Sequence, residues 1–266
     1  MIYPAASLVI ALIIISILLL AWFWYHNPCQ IITWWNRIIR SECDQQDAHP
    51  LNGIPSYHNA WDSSNRTAQQ FHSLVSLHHE DILSEVLQAI NEYDGLSSEE
   101  TNWESSHWLK DERKWHPIWI RFMGQWAGSS ERVPSLKKIA SFFPQITALH
   151  VSVFRAGAGL VEHRGPNRIT QRYHYCLQVA ENDIGLRIAG FDVKWKEREG
   201  FVWDDTLEHS AWNHTSQTRI VIFADILREF SLINSIGSTI IYNLMQKSKH
   251  VSHIKTSLQE EGLIVR

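Results

Sequence analysis

The sequence predicts a mainly β domain, an antiparallel sandwich or barrel, preceded by helices and by one apolar span long enough to cross a bilayer. Three observations predict it. From residue 115 onward, short segments rich in β-branched and aromatic residues are separated by Gly, Pro, Asn and Asp, the pattern of strands and turns. Residues 67–94 instead repeat apolar side chains at helical spacing. Residues Pro4 to Tyr25 contain no charge at all.

The span comes first in the chain. As a helix, Pro4 to Tyr25 would reach roughly 33 Å, which matches a hydrocarbon core of about 30 Å. A signal peptide would carry a basic start, a shorter apolar core and small residues at a cleavage site. This stretch begins Met1-Ile2-Tyr3 and ends in Trp22, Phe23, Trp24 and Tyr25, an aromatic belt of the kind found at membrane interfaces. An N-terminal transmembrane anchor over residues 1–27 is therefore expected. The following segment, QIITWWNRIIR (30–40), is amphipathic. It suits a helix lying along the headgroups and equally an ordinary packing helix. Arg37 and Arg40 follow the span and no basic residue precedes it. The positive-inside rule then makes the protein single-pass with its domain cytoplasmic.

Residues 41–66 are polar and rich in turn formers, so 28–66 is expected to be a juxtamembrane segment and linker. The helical region runs over 67–114, with an interruption near His78-His79. The strand domain covers 115–230 and shows no helix between its strands. A tail over 231–266 contains the apolar patch LINSIGSTIIYNLM. That patch either rests on the membrane or packs on the domain.

Composition sets outer limits. The 266 residues suffice for one sizeable domain with appendages. A net charge of −4 gives no basic surface for a nucleic-acid partner. The three cysteines, Cys29, Cys43 and Cys176, form no CxxC. They imply neither a disulfide framework nor a structural zinc, and leave a Cys29–Cys43 bridge open. The sequons at Asn65 and Asn213 matter only if the domain faces a lumen. His78-His79, His107 and His116 have settings of surface histidines.

The chemistry concentrates between His150 and Asp225. His163 sits in EHRGPN after the strand TALHVSVFR, and His209 in DDTLEHSAW before RIVIFADI. An antiparallel barrel can bring these rims together, and two neutral imidazoles suit Fe(II). The usual facial triad has a carboxylate two residues after the first histidine; here that position is Gly165. Arg172 and His174 lie two apart on a strand and share its inward face. Arg219 opens the last strong strand. Two cations aimed into an apolar cavity call for an anion.

Taken together, Ser152, Gly157, His163-Arg164-Gly165-Pro166-Asn167, Arg172-Tyr173-His174, Asp204-Asp205-Thr206-Leu207-Glu208-His209 and Arg219 resemble the aspartyl/asparaginyl β-hydroxylase family, which includes lipid A hydroxylases. The resemblance covers roughly residues 115–228. It implies a double-stranded β-helix, a cupin-like jelly roll. It also implies Fe(II) held by His163 and His209 alone, since the family too has Gly in place of the triad carboxylate. With the iron come 2-oxoglutarate and O2 as cosubstrates. By the same resemblance, Arg219 grips the distal carboxylate of 2-oxoglutarate and Ser152 adds a hydroxyl to it. Arg172 and His174 hold the carboxylate that approaches the metal. Asp205 orients a metal-bound water or the ligands around it. The implied reaction is hydroxylation of an unactivated C–H, in a lipid acyl chain or a protein Asp or Asn side chain.

Other readings of single residues stay open: a salt bridge for Arg172 or Arg219, a core histidine for His174, a strand hydroxyl for Ser152. At the level of the whole domain, the alternative is a catalytically inactive jelly-roll binding module at the membrane. A zinc hydrolase would need a third ligand, and no HExxH is present.

Overall fold

The computed structural model describes residues 27–93, 114–180 and 183–248, with Ile15, Trp22 and Val251. The expected anchor otherwise lies outside the described residues, and so does His107. Among the described residues no helix is long and apolar enough to cross a membrane.

The chain opens with α1 (Pro28–Ile38), α2 (Arg40–Gln46) and the short strand β1 (His58–Asn59). Helices α3 (Arg66–Leu77) and α4 (His79–Tyr93) follow, then β2 (Trp115–Phe122), β3 (Gln125–Trp126) and α5 (Pro134–Ser141). The remaining strands are β4 (Ile146–Phe154), β5 (Gly159–His163), β6 (Thr170–Gln178), β7 (Ile184–Ile188) and β8 (Phe191–Val193). They are completed by β9 (Gly200–Trp203), β10 (His209–Asn213) and β11 (Arg219–Leu227), and α6 (Leu232–Gln246) follows.

Two antiparallel sheets result, ordered β1-β9-β6-β11-β4-β2-β3 and β5-β10-β7-β8. Strands β4 to β11 are distributed four to a sheet in jelly-roll order. One core fills the space between the sheets, where Phe154, Cys176, Trp203 and Val221 of the larger meet Leu186, Ile188 and Ala211 of the smaller. A second core lies on the outer face of the larger sheet, under α3, α4 and α5.

Period-two alternation explains how one sheet serves both cores. On β6, Tyr173, Tyr175 and Leu177 face the helices, so Arg172, His174 and Cys176 point between the sheets. On β11, Ile220, Ile222, Ala224 and Ile226 face the helices, leaving Arg219, Val221, Phe223 and Asp225 inside. The sheet is thus buried on both faces, yet its inner face can still carry charge.

Helix α3 starts at Asn65, whose side chain accepts from Ala68 N–H at 3.1 Å, a standard N-cap. The break between α3 and α4 falls at His78, where the spacing predicts it. His79 is buried rather than superficial, because its Nδ1 pairs with the Tyr175 hydroxyl at 3.0 Å. His72 does the same with Tyr173.

Several expectations need correction. A helix does interrupt the strand series: α5 has Pro at its start and buries Leu136, Ile139 and Ala140 at helical spacing. At two turns it is too short to stand out by periodicity. Strands β1, β3, β5, β8 and β10 are absent from the sequence reading because each has five residues or fewer and few apolar ones. His163 therefore ends a strand and His209 begins one. The polar stretch 41–66 is built into the domain. It contributes most of α2, pairs β1 with β9, and places Asp44 against half-buried Arg168 and Asp47 against buried Arg228. Cys43 and Cys176 are free, buried thiols, so no Cys29–Cys43 bridge forms. Asn65 and Asn213 are buried, and neither sequon is accessible.

Candidate functional site

The two histidines are cross-strand partners: His209 on β10 stands opposite His163 on β5. Their ring centroids are 4.1 Å apart. Each Nδ1 lies 2.8 Å from the carbonyl oxygen two residues earlier, of Val161 and Leu207 respectively. A carbonyl only accepts, so each Nδ1 carries the proton and each Nε2 keeps the lone pair a metal needs. Burial lowers both pKa values, that of His209 to about 3 with His163 as the next cause. Both rings are thus neutral, as ligands must be.

Gly165 explains the missing triad carboxylate. A Cβ added there would sit 1.9 Å from Asp205 Oδ2. The carboxyl of Asp205, from a different loop, fills the space a side chain at 165 would occupy. Gly165 N–H also donates to the Asp205 carbonyl at 2.7 Å, fastening the two loops together. Burial pushes the Asp205 carboxyl up to about 7 even though Arg172 opposes the shift.

Arg172 lies between two carboxylates. Its Nη2 is 2.9 Å from Asp205 Oδ2 and its Nε is 3.1 Å from Asp225 Oδ1. The guanidinium also lies over the Phe223 ring at 4.2 Å. Of the two cations expected to call for an anion, Arg172 is therefore already paired within the protein.

Arg219 is the opposite case. It is 5% exposed, and among the described residues it forms no salt bridge. Its Nη2 donates to Ser152 Oγ at 2.6 Å, which also accepts from Trp115 Nε1 at 2.8 Å. The guanidinium packs over Trp195 and Phe154, 4.4 and 4.6 Å from the ring centroids. Its Nε has no hydrogen-bond partner, and burial pulls its pKa down to about 9. An unpaired buried cation is costly, so this pocket fits an anion.

His174 points the same way. Its Nδ1 accepts from Trp195 Nε1 at 3.4 Å, which leaves the proton on Nε2. That N–H is buried without a partner, and so is Trp203 Nε1. The His174 ring sits between Trp203 and Phe223, at centroid distances of 5.9 and 5.4 Å. Burial holds it well below the ordinary histidine pKa. The row Trp119–His150–Phe223–His174–Phe201 crosses the sheet and makes this face aromatic.

All seven residues singled out from sequence thus lie in two adjoining groups. Arg219 and Ser152 form one; His163, His209, Asp205 and Arg172 form the other; and His174 lies on the strand that carries Arg172. Sequence reading missed Asp225, Trp115, Trp195 and Trp203. Asp225 could have been found from the alternation of RIVIFADI. The tryptophans carry no local signal, because cross-strand register alone brings them in.

Comparison with known proteins identifies the family. The profile of the family described as Aspartyl/Asparaginyl beta-hydroxylase matches residues 76–229, starting ahead of β2 and taking in α4. Ornithine lipid ester-linked acyl 2-hydroxylase from Rhizobium tropici is 39% identical over 87 residues, covering 32% of this chain and 31% of that protein. Human Aspartyl/asparaginyl beta-hydroxylase is 26% identical over 89 residues, 32% of this chain and 12% of its own length. The chain thus spans a third or less of these relatives. A Pseudomonas putida prolyl-4-hydroxylase structure is 14% identical, covers 60% of this chain and 100% of that one, and has a TM-score of 0.37. At such a score the jelly-roll assignment rests on the strand order itself.

Proposed function

Because the chain belongs to the aspartyl/asparaginyl β-hydroxylase family, we propose that it is a membrane-anchored hydroxylase using Fe(II), 2-oxoglutarate and O2. The observation that carries this reading is the pair of neutral imidazoles, adjacent and each fixed through Nδ1. His163 and His209 would hold the iron through Nε2. Bound iron, with its cosubstrates, supplies the oxidising power that an unactivated C–H requires.

The remaining residues bind, orient and exclude water. Arg219 and Ser152 offer a charge-assisted grip on the distal carboxylate of 2-oxoglutarate. The Nε2–H of His174 is free to donate to the carboxylate nearer the metal. Arg172, held by Asp205 and Asp225, sits two residues away on the same strand and fixes that wall of the pocket. Trp195, Phe154 and Trp203 keep the pocket dry, which strengthens each of these interactions. Two results test the reading: a visible charge-transfer band when 2-oxoglutarate is added to the anaerobic Fe(II) protein, and its absence in His163→Ala. A well-folded wild-type protein with no band would favour the inactive binding module instead.

Arg219→Ala should retain iron and weaken 2-oxoglutarate at least about 30-fold, the scale of truncating a buried charged hydrogen bond. Titration of the charge-transfer band measures it, and unchanged cosubstrate affinity would remove Arg219 from the site.

For the substrate, a lipid acyl chain is the reading we favour. The Rhizobium tropici relative is named for that activity, and α6 exposes an aliphatic stripe. Ile233 is 81% exposed, Ile236 55% and Ile240 54%, all on one side of the helix. Trp34 and Ile38 of the neighbouring α1 are exposed too. With Arg37 and Arg40 after the apolar span, these exposed side chains support a domain held against the cytoplasmic face of a bilayer. The double substitution Ile236→Asp/Ile240→Asp should lower hydroxylation of a lipid in vesicles about tenfold while sparing the same lipid in detergent. Equal loss in both would argue against a membrane contact there. A protein Asp or Asn side chain, suggested by the human relative's name, is the second reading. Mass spectrometry of lipid extracts against a peptide library, looking for one added oxygen, separates the two.

A further inference from the structure

A site with two protein ligands has an architectural problem. Three ligands from a rigid frame would fix each other; two depend on whatever holds their loops. Here the loops are held by residues far outside the motif. After His163, the turn continues Gly165-Pro166-Asn167-Arg168. Asn36 on α1 grips it at two points: its Nδ2 donates to the Pro166 carbonyl at 3.1 Å, and its Oδ1 accepts from Arg168 N–H at 2.9 Å.

The Arg168 side chain then reaches both α2 and the other ligand loop. Its Nε is 2.6 Å from Asp204 Oδ2, its Nη1 is 2.9 Å from Asp44, and its Nη2 is 3.2 Å from Asp47. Arg228, just beyond β11, bonds Asp47 through both terminal nitrogens at 2.8 and 3.0 Å, and Asp204 at 3.3 Å. Asp204 spends its other oxygen on the backbone N–H and hydroxyl of Thr206, at 3.0 and 2.7 Å. That shapes the turn whose Leu207 carbonyl orients His209.

We infer that Asn36 and Asp47, from the segment between the apolar span and the catalytic domain, are positioning residues for the iron site. Together with Arg168, Arg228 and Asp204 they fasten both histidine loops to α1 and α2. The Asp204, Asp47 and Arg228 side chains are almost wholly buried. Charges are retained in such places only when each has its partners. The profile match begins at residue 76, so α1 and α2 lie outside the matched region. The site is incomplete without them.

The inference rests on the iron reading, and the test keeps the two apart. Full-length wild type, Asn36→Ala, Asp47→Asn and His163→Ala are titrated anaerobically with Co(II), and the ligand-field spectrum is recorded beside thermal unfolding. Asn36→Ala should unfold within a few degrees of wild type, bind Co(II) about 10–100-fold more weakly, and show a shifted spectrum. Asp47→Asn should do the same with a larger loss. If Asp47→Asn fails to fold, Asn36→Ala decides alone. Wild-type affinity and spectrum in Asn36→Ala would overturn the positioning role while leaving the iron site standing. Failure of wild type to bind Co(II) any better than His163→Ala would overturn both.

Discussion

His163→Ala, and separately His209→Ala, are expected to remove iron binding and to lower hydroxylation by at least about a thousandfold. The expectation follows from ligand number. On the proposed reading His163 and His209 are the two protein ligands, so each imidazole is half of the protein's hold on the metal. The organic chemistry at the C–H belongs to the bound group, and without it the remaining pocket binds but has nothing with which to oxidise. Neither change should unfold the domain, because both residues stand at strand ends on the rim of the smaller sheet. Metal analysis after dialysis, with circular dichroism as the folding control, checks the result. Turnover near the wild-type rate in either variant would mean that the imidazole pair is not the iron site.

Gly165→Ala is expected to be the most damaging conservative change outside the ligands. Its Cβ would lie 1.9 Å from a buried carboxylate oxygen, well inside contact distance. Either the loop moves, carrying His163 with it, or Asp205 leaves Arg172. The first disturbs the proposed ligand and the second removes one of Arg172's two carboxylate partners. Overpacking and the broken buried pair together should cost about 3 kcal/mol. For a domain of this size that is roughly 10 °C in Tm. The clash has one partner, so Gly165→Ala/Asp205→Ala should lose less than the sum of the single changes. A double-mutant cycle by thermal unfolding measures this. Strict additivity would show that Asp205 does not occupy the space beside Gly165. The same geometry bears on the missing triad. A carboxylate placed at position 165 would meet the one already supplied by Asp205.

Much of this was legible in the chain. Enrichment in β-branched and aromatic residues between turn formers located six of the strands, several of them alternating, because such side chains suit a pleated, buried surface. Those six are the long or strongly apolar ones, such as β4, β6 and β11. Helical spacing located α3 and α4 and even the break at His78. The motif residues were readable because their offsets along single strands and turns are local: Arg172 and His174 share a face whatever the rest of the fold does.

What the chain could not disclose is whatever depends on register between distant strands. Nothing local to Gly165 says that Asp205, forty positions on, fills its missing side chain. Nothing local to Arg172 says that it pairs with Asp205 and Asp225, whereas Arg219 has no counter-ion among the described residues and packs against Trp195 and Phe154. The polar run 41–66 has the composition of a linker, and only its docking turns Asp47 into the counter-ion of Arg228. Periodicity reports which face a residue takes, and that is set by its neighbours in sequence. Partnership across a sheet or loop is set by the packing of the whole, and only the tertiary structure decided it.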